Sequence, residues 1–538
     1  MNLKQLIETV EDLFSKRTTL MTLWQEIAEN FYPERADFTF RRDTGDQFAE
    51  YLSTSYPIVV RRDLGDQLGV MLRPTSKSWF HMVPTDTTLE THEAKSWLQW
   101  AEGLQKRAMY DRKTRFSRAT KEGDHDFATF GQTAISVRLN REANALLYRC
   151  WHLRDMAWLE NENGEITIIA RRWKPYAKDL QRIFRNKNHP SLTQKADRSP
   201  FEIVECYHIV VEQDLYDDNS RTRPFWSIYY DKTHDHLLEA IPVWNKEYVI
   251  PRWQTVSGSQ YAYSPATITA LPDARVIQAM TYTLLEAGEK ATNPPLVATQ
   301  DAVRSDVSIY AGGITWVSEE YDERLGEALR PLSQDLRGLP IGIDMQRDSR
   351  AMLRDIFFLN KLALPQRGPE MTAYEIGQRV QEYIRGAIPI FEPMEMEYNG
   401  AICELTFDTL MRAGTFGNPV NIPHVLRGAD IQFRFESPLH DAVEQQKGQL
   451  FMEAKEMLVH ALAIDRSSGA VINAVDAIRD TLTGIGVPAK WMNSEEQVRS
   501  IQDRQRQTMD MQQMLQSAEQ GSKAVANVSR GEKDMAQA

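Results

Sequence analysis

The chain has 538 residues, 42% hydrophobic and 26% charged, which suits a folded protein of about three or four domains. Its net charge of −12 argues against a sequence-specific nucleic-acid binder, which would carry a basic domain. The acidity still permits a surface past which DNA slides, because strong attraction would act there as friction.

In chain order, Leu3, Leu6, Ile7, Val10, Leu13 and Phe14 recur at helical spacing and predict an amphipathic helix over 3–31, ended by Pro33. Glu8, Glu11 and Asp12 interrupt its apolar pattern, so it does not read as a signal peptide and the chain is expected in the cytoplasm at synthesis. No apolar run reaches about 18 residues, so no transmembrane helix is expected. A helix is predicted over 54–72, a strand at SWFHMVP, helices over 93–110 and 114–130, and extended chain over 131–139. From 146 to 250 the segments ITIIARRW, EIVECYHIVV and FWSIYY read as strands, with DDNSRTR as a hairpin loop and one helix inserted at 176–187.

Helix resumes over 266–291, with Val276, Met280, Leu284, Ala287 and Ala291 as its stripe. NPPLVA breaks it, and a short acidic, β-like insert follows to about 340. A helix over 344–361 leads into the loop ALPQRGPEM. Thr372 and Glu375 then form a capping-box pair that opens a long helix bent at Pro389 and Pro393. After 414 come the β segment IQFRFESPL, a Gln-rich helical region, and a polar tail after about 520 that is expected to be disordered.

Chemistry-bearing clusters are few. Cys150, Cys206 and Cys403 fit neither a zinc spacing nor a disulfide framework and are expected as buried thiols. Asp124-His125-Asp126 invites a metal reading, but adjacent helical residues point in different directions, and a solvated helix face is expected. Phosphate loops, dinucleotide fingerprints and nucleophile elbows are absent from the sequence, so no catalytic residue, cofactor or metal is assigned. Arg347, Arg350 and Arg354 fall at i, i+3 and i+7 on one helix face. That face suits either a nucleic-acid backbone or ion pairs with Asp348, Asp355 or a neighbouring subunit. The 12 tryptophans and 19 tyrosines are expected mostly in the core.

Six stretches, in order, resemble the head-to-tail connector (portal) family of short-tailed, podovirus-type bacteriophages. They are STSYPIVVRRDLGDQLGVMLRPTSKSWFHM, RFSRATKEGDHDFATFGQTAISV, the run from PRWQTVSG to NPPLVA, EMTAYEIGQRVQEYI, SPLHDAVEQQK and GVPAKWMNSEEQVRSIQDRQRQ. Thr114-Arg115-Phe116 stands where members often carry Ser-Asn-Phe.

The resemblance implies an α+β, mostly helical portal-type subunit with a strand-rich middle region, assembling into a ring of about twelve copies. It implies a wing over 1–265, stem helices over 266–292 and 341–361, and a clip over 293–340. A tunnel loop over 362–371 would include Leu364, Pro365, Gln366, Arg367 and Gly368. A kinked wing helix with its return strand would follow over 372–436, then a crown over 437–519 and the tail over 520–538. The implied partners are double-stranded DNA passing without sequence reading, the terminase motor, tail or adaptor proteins, and capsid and scaffolding proteins, with no membrane. The implied location is the portal vertex of the virion. The alternatives are a phage nuclease or packaging ATPase, which lacks its motifs here, and a scaffolding protein, which would be shorter and poorer in strands.

Overall fold

The computed structural model describes residues 1–298 apart from 44, 75–77, 141 and 217–221, then 329–331, 338–362 and 394–435. Short runs between 303 and 324 and between 478 and 514 are also described. The chain divides into two units: Met1–Lys77 with Arg107–Ala413, and Ser78–Lys106 with Gly414–Ala538. Helices and antiparallel sheets together make the fold α+β.

In the first unit the expected single N-terminal helix is two, α1 (Leu3–Lys16) and α2 (Thr18–Phe31). The break falls at Arg17, where neither Gly nor Pro is present. Its guanidinium is buried and donates to the carbonyls of Leu153 at 2.9 Å, Met156 and Arg154. Three carbonyl acceptors for one buried cation outweigh the loss of a continuous helix. Burial pushes Arg17 down to about 10.

A five-stranded antiparallel sheet, ordered by sequence, contains β4 (Met156–Glu160), β5 (Ile166–Trp173), β6 (Cys206–Glu212), β7 (Phe225–Asp231) and β8 (His236–Val243). Alternation sorts its side chains onto two faces. Ile168, Ala170, Ile209, Val211 and Ile228 pack against Leu6, Val10, Leu13 and Phe14 of α1. Each such side chain contributes roughly 1.5–3 kcal/mol relative to exposure.

The opposite face carries Cys206 and Leu238 and is covered by α6 (Ala177–Phe184) and α7 (Pro190–Arg198). Only the first of these two helices is expected from the sequence. The second begins with Pro190 at its first position and His189 as its cap, a start signal not used in the sequence reading.

A three-stranded sheet is ordered β3 (Leu146–Cys150), β2 (Ile135–Leu139), β9 (Tyr248–Val249). Against it packs α5 (Phe116–Phe130), and α3 (Tyr56–Leu72) packs on α5. Gly65 and Gly69 let α3 approach α5 closely: a Cβ on Gly65 would stand 2.4 Å from His125 Nδ1. Gly131 ends α5 at φ +72°, and a Cβ there would stand 2.1 Å from the Tyr263 carbonyl carbon.

Next come α8 (Pro265–Thr292), the pair β10 (Leu296–Ala298) and β11 (Leu329–Pro331), α9 (Gly338–Ile356) and α10 (Leu359–Leu362). The helix expected to start at 344 therefore starts at Gly338 and breaks after Ile356, with Phe358 at φ +58°. The stripe expected on α8 holds only in its middle, where Met280, Leu284 and Ala287 are half-buried and Leu284 lies beside Gly342 of α9. Ala270, Leu271, Ala274 and Ile277 are buried, while Val276 is 49% exposed and Ala291 is exposed. Apolar residues lie on several sides of this helix, so periodicity alone does not fix the face at its two ends. A π-helical turn over Glu395–Gly400 leads into α11 (Ala401–Arg412), where Thr406 meets the Tyr148 hydroxyl at 2.7 Å.

In the second unit β1 (Phe80–Pro84) pairs antiparallel with β12 (Ile431–Phe435), Phe80 opposite Phe435. Trp79 stacks on Phe435, and Phe80 meets Phe433. The unit also contains most of α4 (His92–Met109), whose Glu102 accepts from Ser78 at 2.6 Å and lies 2.9 Å from His81 Nδ1.

Candidate functional site

Arg347, Arg350 and Arg354 all lie on α9, which packs along α8. Gln346 donates to Thr281 across that contact at 2.7 Å. The pair is fixed at its base by Gln278 of α8. Its side chain accepts from Ser53 and Thr54 at 2.8 and 2.9 Å and donates back to the Thr54 carbonyl at 2.9 Å. Leu353 and Phe357 bury the end of α9, with Phe357 against Phe31.

The three arginines do different things. Arg350 is half-buried: its guanidinium lies 5.4 Å from the Tyr56 ring centre, and its carbonyl accepts from the Tyr56 hydroxyl at 3.0 Å. Burial raises the Tyr56 hydroxyl, while Arg354 and Arg350 pull it back. Arg347 pairs at 3.6 Å with Asp344 rather than with Asp348, both side chains about three-quarters exposed. Such a pair contributes little. Arg354 is exposed. Leu364, Pro365, Gln366, Arg367 and Gly368, with the capping pair Thr372 and Glu375 and the bends at Pro389 and Pro393, lie outside the described residues.

The expected solvated face at Asp124-His125-Asp126 is incorrect. All three side chains are buried, and each meets a different arginine. Asp124 pairs with Arg73, which also donates to Asn399 at 2.7 Å and lies over the Tyr398 ring. His125 Nδ1 is 3.2 Å from Arg61, whose Nε donates to the Phe31 carbonyl at 3.0 Å. Asp126 is gripped by Arg35, which also reaches Glu122 at 2.9 Å.

Burial works against the charge on Arg35, but Asp126, Cys150 and Glu122 together outweigh it and raise its pKa. The arrangement is an internal framework in which each acid is satisfied by its own cation. Among the described residues no three His, Cys, Asp or Glu side chains converge as a metal site. The sequence reading missed the arginine partners. The glycines at 65 and 69 of α3 were the available signal of close helix contact.

Cys150, Cys206 and Cys403 are buried free thiols, as expected. Burial pushes the first two well up, away from the reactive thiolate form. Trp24, Trp79, Trp158, Tyr148 and Tyr398 are fully buried, while Trp100, Trp244, Trp316 and Trp491 are exposed.

The chain is similar to two phage proteins along most of its length. It is 22% identical over 456 residues to the probable portal protein of Bordetella phage BPP-1, covering 82% of this chain and 79% of that one. It is 20% identical over 541 aligned residues to the portal protein of Salmonella phage epsilon15, covering 97% and 95%. Residues 3–492 match the family described as bacteriophage head to tail connecting protein. With that match spanning both units, and with the order of its motifs already pointing the same way, the chain belongs to the head-to-tail connecting protein family of bacteriophages.

Proposed function

We propose that this chain is a structural portal subunit that assembles into a ring around a DNA channel at one capsid vertex. The ring serves genome packaging, retention and ejection, docks the terminase motor and later the tail or adaptor, and sits among capsid and scaffolding proteins. In this reading α8 and α9 are the stem, the segment between them is the clip, and the sheet-bearing region belongs to the wing.

The observation that carries the reading, beside family membership, is the apolar surface of the two helices. Tyr282 and Leu285 of α8 are 64% and 62% exposed, and Ile341 of α9 is 64% exposed. Neighbouring copies in a ring would cover such side chains. The function is passage and docking without catalysis. The loop at 364–368 bears on DNA, with Leu364 as an apolar tip and Arg367 supplying one phosphate-seeking charge per subunit.

Electron micrographs of the purified protein test this directly. Rings with a central hole are expected, and a field of compact single subunits would overturn the reading.

A further inference from the structure

One cavity in the first unit has no place in the portal reading. It encloses about 770 Å³ and is lined by ten Arg and Lys side chains against three Asp and Glu, in a chain whose net charge is −12. Arg35, Arg154 and Lys174 are held by carboxylates. The other seven form no ion pair among the described residues, although Arg42 donates to the Pro33 carbonyl at 2.8 Å, Arg138 to the Tyr229 hydroxyl at 3.4 Å, and Arg172 lies 4.0 Å over the Phe14 ring.

These lining residues come from separate elements. Arg115 and Arg118 come from the start of α5, Arg138 from β2, and Arg149 from β3. Arg172 comes from β5, and Arg41 and Arg42 from the segment after α2.

Two further features show that this crowding is built in. Arg149 lies 4.1 Å over the Trp151 ring, and the buried Arg171 lies 3.9 Å from the same ring. Burial pushes Arg149 down, Arg171 and Arg138 push further, and of its near neighbours only Glu122 works the other way. Arg115 holds a left-handed backbone at φ +59°, unusual for a residue with a long side chain, and caps α5 with no side-chain bond of its own. The first turn of α5 thus brings its positive end to the cavity wall.

We propose that this cavity binds a compact polyphosphate, a run of linked phosphates in a small molecule. A DNA duplex does not fit: a sphere of about 770 Å³ is only about 11 Å across, while the major groove of a duplex is by itself ~12 Å wide. An acidic peptide supplies at most one carboxylate per residue, about 3.3 Å of extended chain, a sparser charge than this arginine-rich lining presents. Linked phosphates carry more charge in the same space and match the planar, two-pronged guanidinium. The proposal rests on residues of one chain alone and not on ring formation, so its failure would leave the portal reading untouched.

The test is calorimetric titration of the full-length protein with sodium tripolyphosphate in a buffer without divalent cations, at low and at physiological salt. Wild type is expected to bind, more weakly as salt rises, and to melt at a higher temperature with the anion present. The double variant Arg118→Gln/Arg149→Gln is expected to lose at least about tenfold in affinity. It should melt no lower than wild type without ligand, because like charges have been removed.

Lys16→Gln, an exposed cation outside the cavity, should bind as wild type does. ATP binding more tightly than tripolyphosphate would assign the phosphates to a nucleotide, and equal binding would assign them to free polyphosphate. Absence of binding to folded wild type, unchanged binding by the double variant, or tighter binding of hexaglutamate than of tripolyphosphate would each overturn the proposal.

Discussion

Arg35 grips Asp126 with two parallel bonds, Nε to Oδ1 at 2.9 Å and Nη2 to Oδ2 at 2.7 Å. The Asp126 side chain is 1% exposed and that of Arg35 15%, so neither charge has much water to fall back on. Arg35→Ala should therefore destabilise the first unit by about 3–5 kcal/mol, because it strands a buried carboxylate. Denaturant unfolding of the variant against wild type checks this. A loss under about 1 kcal/mol would mean that the pair is better solvated than its geometry indicates.

Arg115 invites the opposite experiment. A left-handed backbone at φ +59° costs a long side chain about 1–2 kcal/mol, and Asn tolerates it far better. Arg115→Asn should raise stability by about 1 kcal/mol, read as a higher melting temperature.

These two cases mark what the sequence could carry. Periodicity found α3, α5, α8 and most strands, because spacing alone sets which face is apolar. It read Asp124, His125 and Asp126 as solvated, because their partners Arg35, Arg61 and Arg73 lie some 50 or more residues upstream and only the fold brings them together. The break at Arg17 was equally illegible: its cause is a set of carbonyls at 153–156, far along the chain. On α8 apolar residues stand on several sides, so which stripe faces inward depends on the packing against α2, α5 and α9.

Stability should depend on pH through His208. It is 1% exposed, with Nδ1 2.6 Å from the Tyr248 hydroxyl and Nε2 2.9 Å from Ser227. Burial, then Arg171 and Arg138, pushes its pKa well below 6.5. The unfolded chain therefore takes up a proton that the folded one refuses, and stability falls as pH drops below about 6.5, by up to about 1.4 kcal/mol per pH unit. Glu247, whose carboxyl is raised by burial, works the other way just above its ordinary value of 4.5. The clean comparison is therefore His208→Gln, whose melting temperature should fall less than that of wild type between pH 7 and 5. Parallel curves for the two proteins would remove His208 as the cause.

The loop over 364–368 is proposed to bear on DNA. Deleting Pro365–Gly368 should leave ring yield unchanged and reduce the DNA packaged or retained in particles. Wild-type DNA content at normal ring yield would dismiss the role.

The portal reading stands on assembly, and native mass spectrometry of the purified full-length chain over a range of concentrations tests it most directly. A closed ring of about twelve subunits is the expected species. Monomers and dimers alone, at every concentration, would contradict it.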